Sequence, residues 1–369
     1  MNKFFLAIKT HPYKERLEKV FMRVSLKEQI QLIKQLAVLM KAGTPLFTAL
    51  GMVKEQSRSR SVKKIVAQVT HDVENGHSLA SSLAKFKKIF GELTINIIAV
   101  GEVSGNLSSN LEHLAITLKK KQALRRKVVG ASIYPIFIII ATLAITILLT
   151  VFVFPKIIPV FKSINYQLPW STRFLIWINN VTQAHGLVIA GCVIAVIVAI
   201  GLLLQVKKIR LWYDAGLLYV PFFNTMVRTY NTTSICRTLG LLLNSGTTVV
   251  RAFHIASDTT KNLAYKKVLM AISENITKGE IISANLQKNK RLFPIVVPQM
   301  IAVAESTGRL SETFSYLADV YEEDMDELTR NLSTTLEPIL LIFMGILVGF
   351  IAISIITPIY GITQHLTPK

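Results

Sequence analysis

Residues able to do chemistry are plentiful in this chain, but none stands at the spacing that catalysis or metal binding needs. The seven histidines, His11, His71, His77, His113, His185, His254 and His365, are scattered. His71 and His77 lie nearest one another, yet six residues apart they fall on different faces of a helix and would not share a metal ion. There is no Gly-x-x-x-x-Gly-Lys-Ser/Thr loop for phosphates, no His-Glu-x-x-His helix for zinc and no Gly-x-Ser-x-Gly nucleophile turn. Cys192 falls in an apolar stretch and Cys236 in a polar one, so no disulfide framework is available. We therefore assign no catalytic, cofactor-binding or metal-ligating residues and read the chain as no enzyme. Any energy it uses must come from a partner.

Charge is the other chemistry on offer. Lys119, Lys120 and Lys121 lead into Arg125, Arg126 and Lys127, while far along the chain Glu322, Glu323, Asp324, Asp326 and Glu327 form an acidic run. A net charge of +20 raises nucleic-acid binding, but no aromatic residue near the basic run could stack on a base, and the run directly precedes an apolar stretch. One reading of the basic run is a collar touching anionic lipid head groups. Another is that the two runs face each other, within one chain or between protomers, and set an assembly register.

These groups must be held by elements that the composition already describes. Hydrophobic residues make up 51% of the chain and charged residues only 17%, an excess that has to sit in lipid. A helix needs about 20 apolar residues to cross a bilayer, and three stretches free of Asp, Glu, Lys and Arg can each supply one. The spacing predicts spans at 132–154, 186–206 and 338–357. Segment 1–130 carries 23 basic residues against 9 acidic, and segment 206–337 carries 15 against 13, whereas the loop 155–185 has only Lys156, Lys162 and Arg173. Basic residues resist translocation, so both large segments are expected on the cytoplasmic side. The expected order is an N-terminal cytoplasmic tail 1–24, a helical domain 25–130, the first span, the loop 155–185 outside, the second span, a second helical domain 207–337, the third span and an external tail 358–369. The apolar run at the N-terminus is broken by Lys9, which argues against a cleaved leader.

The chain also resembles itself when slid along by one constant offset. Gln35 to Thr44 then lies over Thr238 to Thr247, and Ile98 to Gly105 over Ile301 to Gly308. Pro135 falls on Pro338, and Pro155 on Pro358; Lys119, Lys120 and Lys121 fall on Glu322, Glu323 and Asp324. Within each copy the apolar residues recur at helical spacing, as in Leu107, Leu111, Leu114 and Leu118. Gly43 and Gly246 follow helical runs and can serve as left-handed caps, while Gly105 and Gly308 mark turns between helices. No alternating segment is long enough for a sheet. The fold class is therefore all-α: three transmembrane helices and two homologous cytoplasmic domains, each a small antiparallel helix bundle. The second span is the crossing that keeps both copies on one side. Glu337 beside Pro338 is expected to complement a helix N-terminus, and Gly345 with Gly349 forms a small-xxx-small pattern suited to close helix contact.

A transporter or permease subunit is the rival reading, because repeats often build transport paths. The expected spans, however, hold little polar beyond Thr142, Thr146, Thr150 and Ser354.

With the repeat established, the chain resembles the type II secretion system F family. The resemblance rests on Ala42 to Leu50, on Gly76-His77-Ser78-Leu79-Ala80, on Gly101-Glu102-Val103-Ser104-Gly105-Asn106-Leu107, and on Leu336-Glu337-Pro338-Ile339-Leu340. In the second copy Glu305 keeps the place of Glu102, but Ala304 replaces Gly101 and Gly279-Glu280-Ile281-Ile282-Ser283 departs from the Gly-x-Ser-Leu pattern. The resemblance implies an inner-membrane platform of a type IV pilus or type II secretion machine, with its N-terminus cytoplasmic and its C-terminus outside. It further implies a cytoplasmic assembly ATPase, pilin or pseudopilin subunits, other inner-membrane assembly proteins, lipids and a second copy of the chain as partners, and no nucleic acid.

Overall fold

The structure is a computed structural model that describes residues 24–162, 169–203, 205–216 and 221–366. Among these residues every regular element is a helix. The first six are α1 (Leu26–Lys41), α2 (Leu46–Gln56), α3 (Arg60–Glu74), α4 (Leu79–Ala84), α5 (Lys87–Val103) and α6 (Leu107–Leu148). A π-helical turn (Leu149–Val153) joins α6 to α7 (Phe154–Lys162), and then come α8 (Trp170–Leu203) and α9 (Lys207–Gly216). The last six are α10 (Pro221–Asn244), α11 (Val249–Thr259), α12 (Leu263–Thr277), α13 (Ile282–Gln287), α14 (Val296–Thr307) and α15 (Leu310–Leu366). The offset found in the sequence carries α2, α3 and α4 onto α11, α12 and α13 end to end, and the start of α6 onto the start of α15. Local chemistry sets these ends. Ser25 and Glu28 form a reciprocal capping box at the start of α1, and Asn262 accepts from the backbone of Ala264 and Tyr265 at the start of α12.

The chain divides into two compact units, one running to Leu124 and resuming over Asp214–Asp324, the other comprising Arg125–Tyr213 and Met325–Lys369. In the first unit the expected bundles 25–130 and 207–337 contribute to a single apolar core. Ile33, Leu36, Leu50, Ile65 and Ile97 from the first copy belong to the same buried cluster as Phe253, Tyr265, Phe293 and Phe314 from the second. The join is made by α5, which packs on α10 and α11. Burying each large apolar side chain contributes roughly 1.5–3 kcal/mol, so the shared core ties the two copies together rather than leaving two self-sufficient bundles.

Two helices are long and apolar enough to cross a membrane, within the segments Leu107–Pro159 and Leu310–Pro358. A third candidate is the pair Trp170–Ile189 and Gly191–Leu203, bent by 46°. The segment 155–185, expected as a loop, is helical over most of its described length, with α8 starting already at Trp170. Its apolar residues have partners that periodicity alone did not reveal. The Trp170 and Phe174 rings lie 5.8 and 6.3 Å from that of Phe350, Leu175 packs with Ile158, and the Thr172 hydroxyl donates to the Ser354 carbonyl at 2.7 Å. Pro155 follows directly on the π-helical turn, as the second residue of α7. The expected role of Glu337 is corrected: both Pro135 and Pro338 lie inside continuous helices, so Glu337 stands mid-helix with no N-terminus to complement. Each proline removes one helical bond, leaving the carbonyl of Ala131 or Thr334 without its helical donor. Residues 1–23, 163–168 and 367–369, which hold most of the expected N-terminal tail and parts of the expected loop and external tail, lie outside the described residues.

Candidate functional site

Two of the motifs that carry the family resemblance meet in the first copy, and their counterparts meet in the second. The last turn of α5 aims Glu102 at the start of α4, where its two carboxylate oxygens accept from the backbone N–H groups of Leu79 at 2.5 Å and Ala80 at 2.9 Å. In the second copy Glu305 accepts from Ile282 at 2.6 Å and Ser283 at 3.0 Å. The first amides of a helix have no intrahelical acceptor and carry partial positive charge, so a carboxylate there satisfies both at once. Neither α4 nor α13 exceeds six residues, too short to persist unaided, and the carboxylate pins each against the next long helix. Two motifs that look separate in sequence, one around Gly76 and one around Glu102, are the two halves of one clamp.

The turns repeat as closely. Gly43 and Gly246 have φ of 83° and 91°, Gly76 and Gly279 of 85° and 86°, and Gly105 and Gly308 both of 72°. After α1, Thr44 N–H donates to the Leu39 carbonyl and Gly43 N–H to that of Met40, the paired closure that needs a left-handed residue. Thr247 and Gly246 make the same bonds to Leu242 and Leu243.

The charged runs form a network in the first unit. The Lys120 ammonium lies 2.7 Å from the Asp319 carboxylate and 3.9 Å from that of Glu322. The Arg237 guanidinium reaches the same Asp319 oxygen at 2.7 Å, pairs with Glu322 and donates to the Ala318 carbonyl at 3.2 Å. Two cations from α6 and α10 thus share two carboxylates one turn apart on α15, a spacing that puts both acids on one helix face. In the second unit Lys127 pairs with Asp326. Lys121 lines a recess with Thr117, Leu124, Ser234 and Thr238. Lys119, Arg125, Arg126, Glu323, Asp324 and Glu327 are exposed. The basic and acidic runs therefore meet within the chain through Lys120, Glu322, Lys127 and Asp326, with the Lys120 contact displaced by about one turn from strict superposition. Sequence reasoning missed Arg237 and Asp319. The available signal was position: Asp319 stands three residues before Glu322, and Arg237 takes the place of Lys34 in the second copy.

In the membrane-like segment, no heavy atom lies within 4 Å of where a Cβ would stand at Gly345 or Gly349. The small-residue face of α15 is thus not used by another described helix of the chain. At two other positions the backbone does approach closely. A Cβ on Gly240 would come within 2.5 Å of the Ser315 hydroxyl and 3.0 Å of its backbone nitrogen, and one on Gly101 within 3.0 Å of the Leu107 Cα.

Comparison with known proteins gives this arrangement a family context. The model of the family described as type II secretion system (T2SS), protein F, matches residues 32–155 and again 235–358, displaced by the same offset as the internal repeat. The chain is similar to the type IV pilus assembly protein PilC of Thermus thermophilus, with 31% identity over 90% of this chain and 82% of that one. It is similar to the type II secretion system protein F of Vibrio cholerae, at 30% over 88% and 80%. The type II secretion system protein F of Aeromonas hydrophila is 31% identical over 92% and 88%.

Proposed function

The chain belongs to the type II secretion system protein F family, and on that premise we propose that it is the inner-membrane platform of a type IV pilus or type II secretion machine, coupling a cytoplasmic assembly ATPase to the polymerisation of pilin-like subunits. The observation that carries the reading is the double family match laid over the duplicated clamp and turns, since both copies of the family's helical unit are present. In this reading the two copies are homologous cytoplasmic domains, three helices cross the membrane, the N-terminus is cytoplasmic and the C-terminus lies outside. The bent pair in α8 is the second crossing, and the distribution of Lys and Arg supports the orientation. The platform binds the ATPase, pilin or pseudopilin subunits, other assembly proteins and lipid, and works as a homo-oligomer without catalysis of its own.

Such a role asks for a stiff connection between the ATPase side and the lipid. α6 runs without a break for 42 residues, about 63 Å at 1.5 Å per residue, from the clamp-bearing bundle into the apolar segment. A short Gly/Ser insertion at Gln122 is expected to abolish pilus assembly or secretion while leaving the protein inserted at its normal level. Full function after that insertion would defeat the coupling mechanism. Co-purification of the wild-type chain with an ATPase and pilin-like subunits tests the platform reading itself. Tags at Lys63 and Lys267 exposed on opposite faces of the membrane would overturn the topology.

A further inference from the structure

The two copies do not pack on each other reciprocally. Along α5 of the first copy, Leu93, Asn96, Ile97 and Val100 form one helix stripe at i, i+3, i+4, i+7. It lies on α10 and α11 of the second copy: Asn96 accepts from Arg251 at 2.5 Å, and a Val100 methyl lies 3.9 Å from where a Cβ of Gly246 would stand. No comparable packing joins α14 to α1 or α2 among the described residues. A two-fold arrangement would require it, so the internal interface is head-to-tail.

A head-to-tail interface between repeated units leaves one face of each kind open. The stripe on α14 that corresponds to the buried one is Val296, Gln299, Met300 and Val303, and Val296 and Val303 are 47% and 63% exposed. The receiving face on α1 and α2 is open too. Val38 is 57% exposed where its counterpart Leu241 is 7% exposed, and Phe47 and Met52 stand exposed on α2. Charge follows the same rule. Internally the interface brings together two cations, Lys120 and Arg237, which need Asp319 and Glu322 to hold them. Their counterparts are Glu323 and Lys34, which are of opposite sign and both exposed.

We propose that a second copy of the chain completes the pattern, with α14 of one protomer seated on α1 and α2 of the next. Val303 then lies at the turn before α2, Gln299 meets Thr48 as Asn96 meets Arg251, and Glu323 pairs with Lys34. The contact is heterologous, so it joins protomers in one direction around a ring or along a row. The inference needs only the fold and does not depend on the platform reading.

The test uses full-length chains in lipid nanodiscs on a Cys192→Ser background, Cys236 being buried. Differently tagged chains carrying Gln299→Cys or Thr48→Cys are mixed and treated with a bis-maleimide of about 10 Å reach, the scale of two packed helix axes. A product containing one of each tag, absent when either variant is treated alone, is expected. No mixed product, or self-linking of the Gln299→Cys chain, overturns the proposal. Independently, Lys34→Glu and Glu323→Lys should each weaken self-association by about tenfold at low salt, and the double exchange should restore it. Additive losses in the double variant would overturn it as well.

Discussion

Replacing Glu102 by Gln is expected to loosen α4 while leaving its duplicate untouched. The glutamine keeps one acceptor oxygen but turns an NH2 group toward the other backbone amide, so one of the two bonds, at 2.5 and 2.9 Å, is lost. A hydrogen bond to a charged group is worth about 1.5–3 kcal/mol, and the lost charge at a helix start about 0.3–1 kcal/mol. Glu102 is partly exposed, so solvent screens part of this, and about 2 kcal/mol is the working figure. At about 1.4 kcal/mol per tenfold, local opening of α4 should rise about 30-fold. Hydrogen exchange followed by mass spectrometry on the full chain reads this directly, comparing peptides that cover Leu79–Ala84 and Ile282–Gln287. Glu305→Gln should produce the mirror result, fast exchange in α13 and none added in α4. A change below about threefold in α4, or an equal change in both helices, would refute the clamp as a local device.

Gly240→Ala should destabilise the first unit by about 1–3 kcal/mol because the new methyl meets the Ser315 backbone as well as its hydroxyl; a thermal melt in detergent within about 1 °C of wild type would contradict the close approach. Arg237→Ala should cost about 2 kcal/mol, since it leaves Glu322 and Asp319 to Lys120 alone, whereas Lys119→Ala should be neutral in the same melt. The Cys236 thiol is buried and pushed up to about 12 by burial, so maleimide should label it only after unfolding; rapid labelling of the native chain would count against the core as described. Burial raises the Asp72 carboxyl, but hydrogen bonds from Lys85 and Gln68 outweigh it and hold the group below its ordinary 3.8. A depressed carboxyl adds stability that is present above the unfolded pKa and lost as pH falls through the folded one. Lys85→Met should therefore narrow the gap in melting temperature between pH 6 and roughly pH 3, and an unchanged gap would dismiss the pair.

What could be read from the sequence was local. Gly43 and Gly105 announce turns because only a residue without a Cβ accepts those dihedrals at little cost, and their recurrence at Gly246 and Gly308 exposes the duplication. The long helix from Leu107 follows from apolar spacing that meets no Pro or Gly before Gly130. Glu102 was legible as a family residue, but its task was not, because the amides it binds lie 22 and 23 residues earlier and only the packing of α4 beside α5 brings them near. Arg237 and Asp319 were hidden for the same reason: their helices are joined through contacts distant in sequence. The helical part of 155–185 was obscured because Trp170, Phe174 and Leu175 find their partners on α15 and α7. The repeat alone did not reveal the asymmetry between copies, which resides in Asn96 and Arg251, residues that their counterparts Gln299 and Thr48 do not match.

The stripe of α5 that lies against α10 and α11 has a history in time as well as a place in space. Val103 ends α5 and Asn244 ends α10, so everything from Ser104 to Asn244 must be synthesised before the covering helix exists. At about 5–20 residues per second that takes roughly 7–28 s, and until then Ile97 and Val100 lack their partners on α10. An apolar stripe without its covering helix is prone to aggregation in that interval. A slow stretch of translation after Val103 would lengthen the window, and faster translation there should raise the yield of inserted protein.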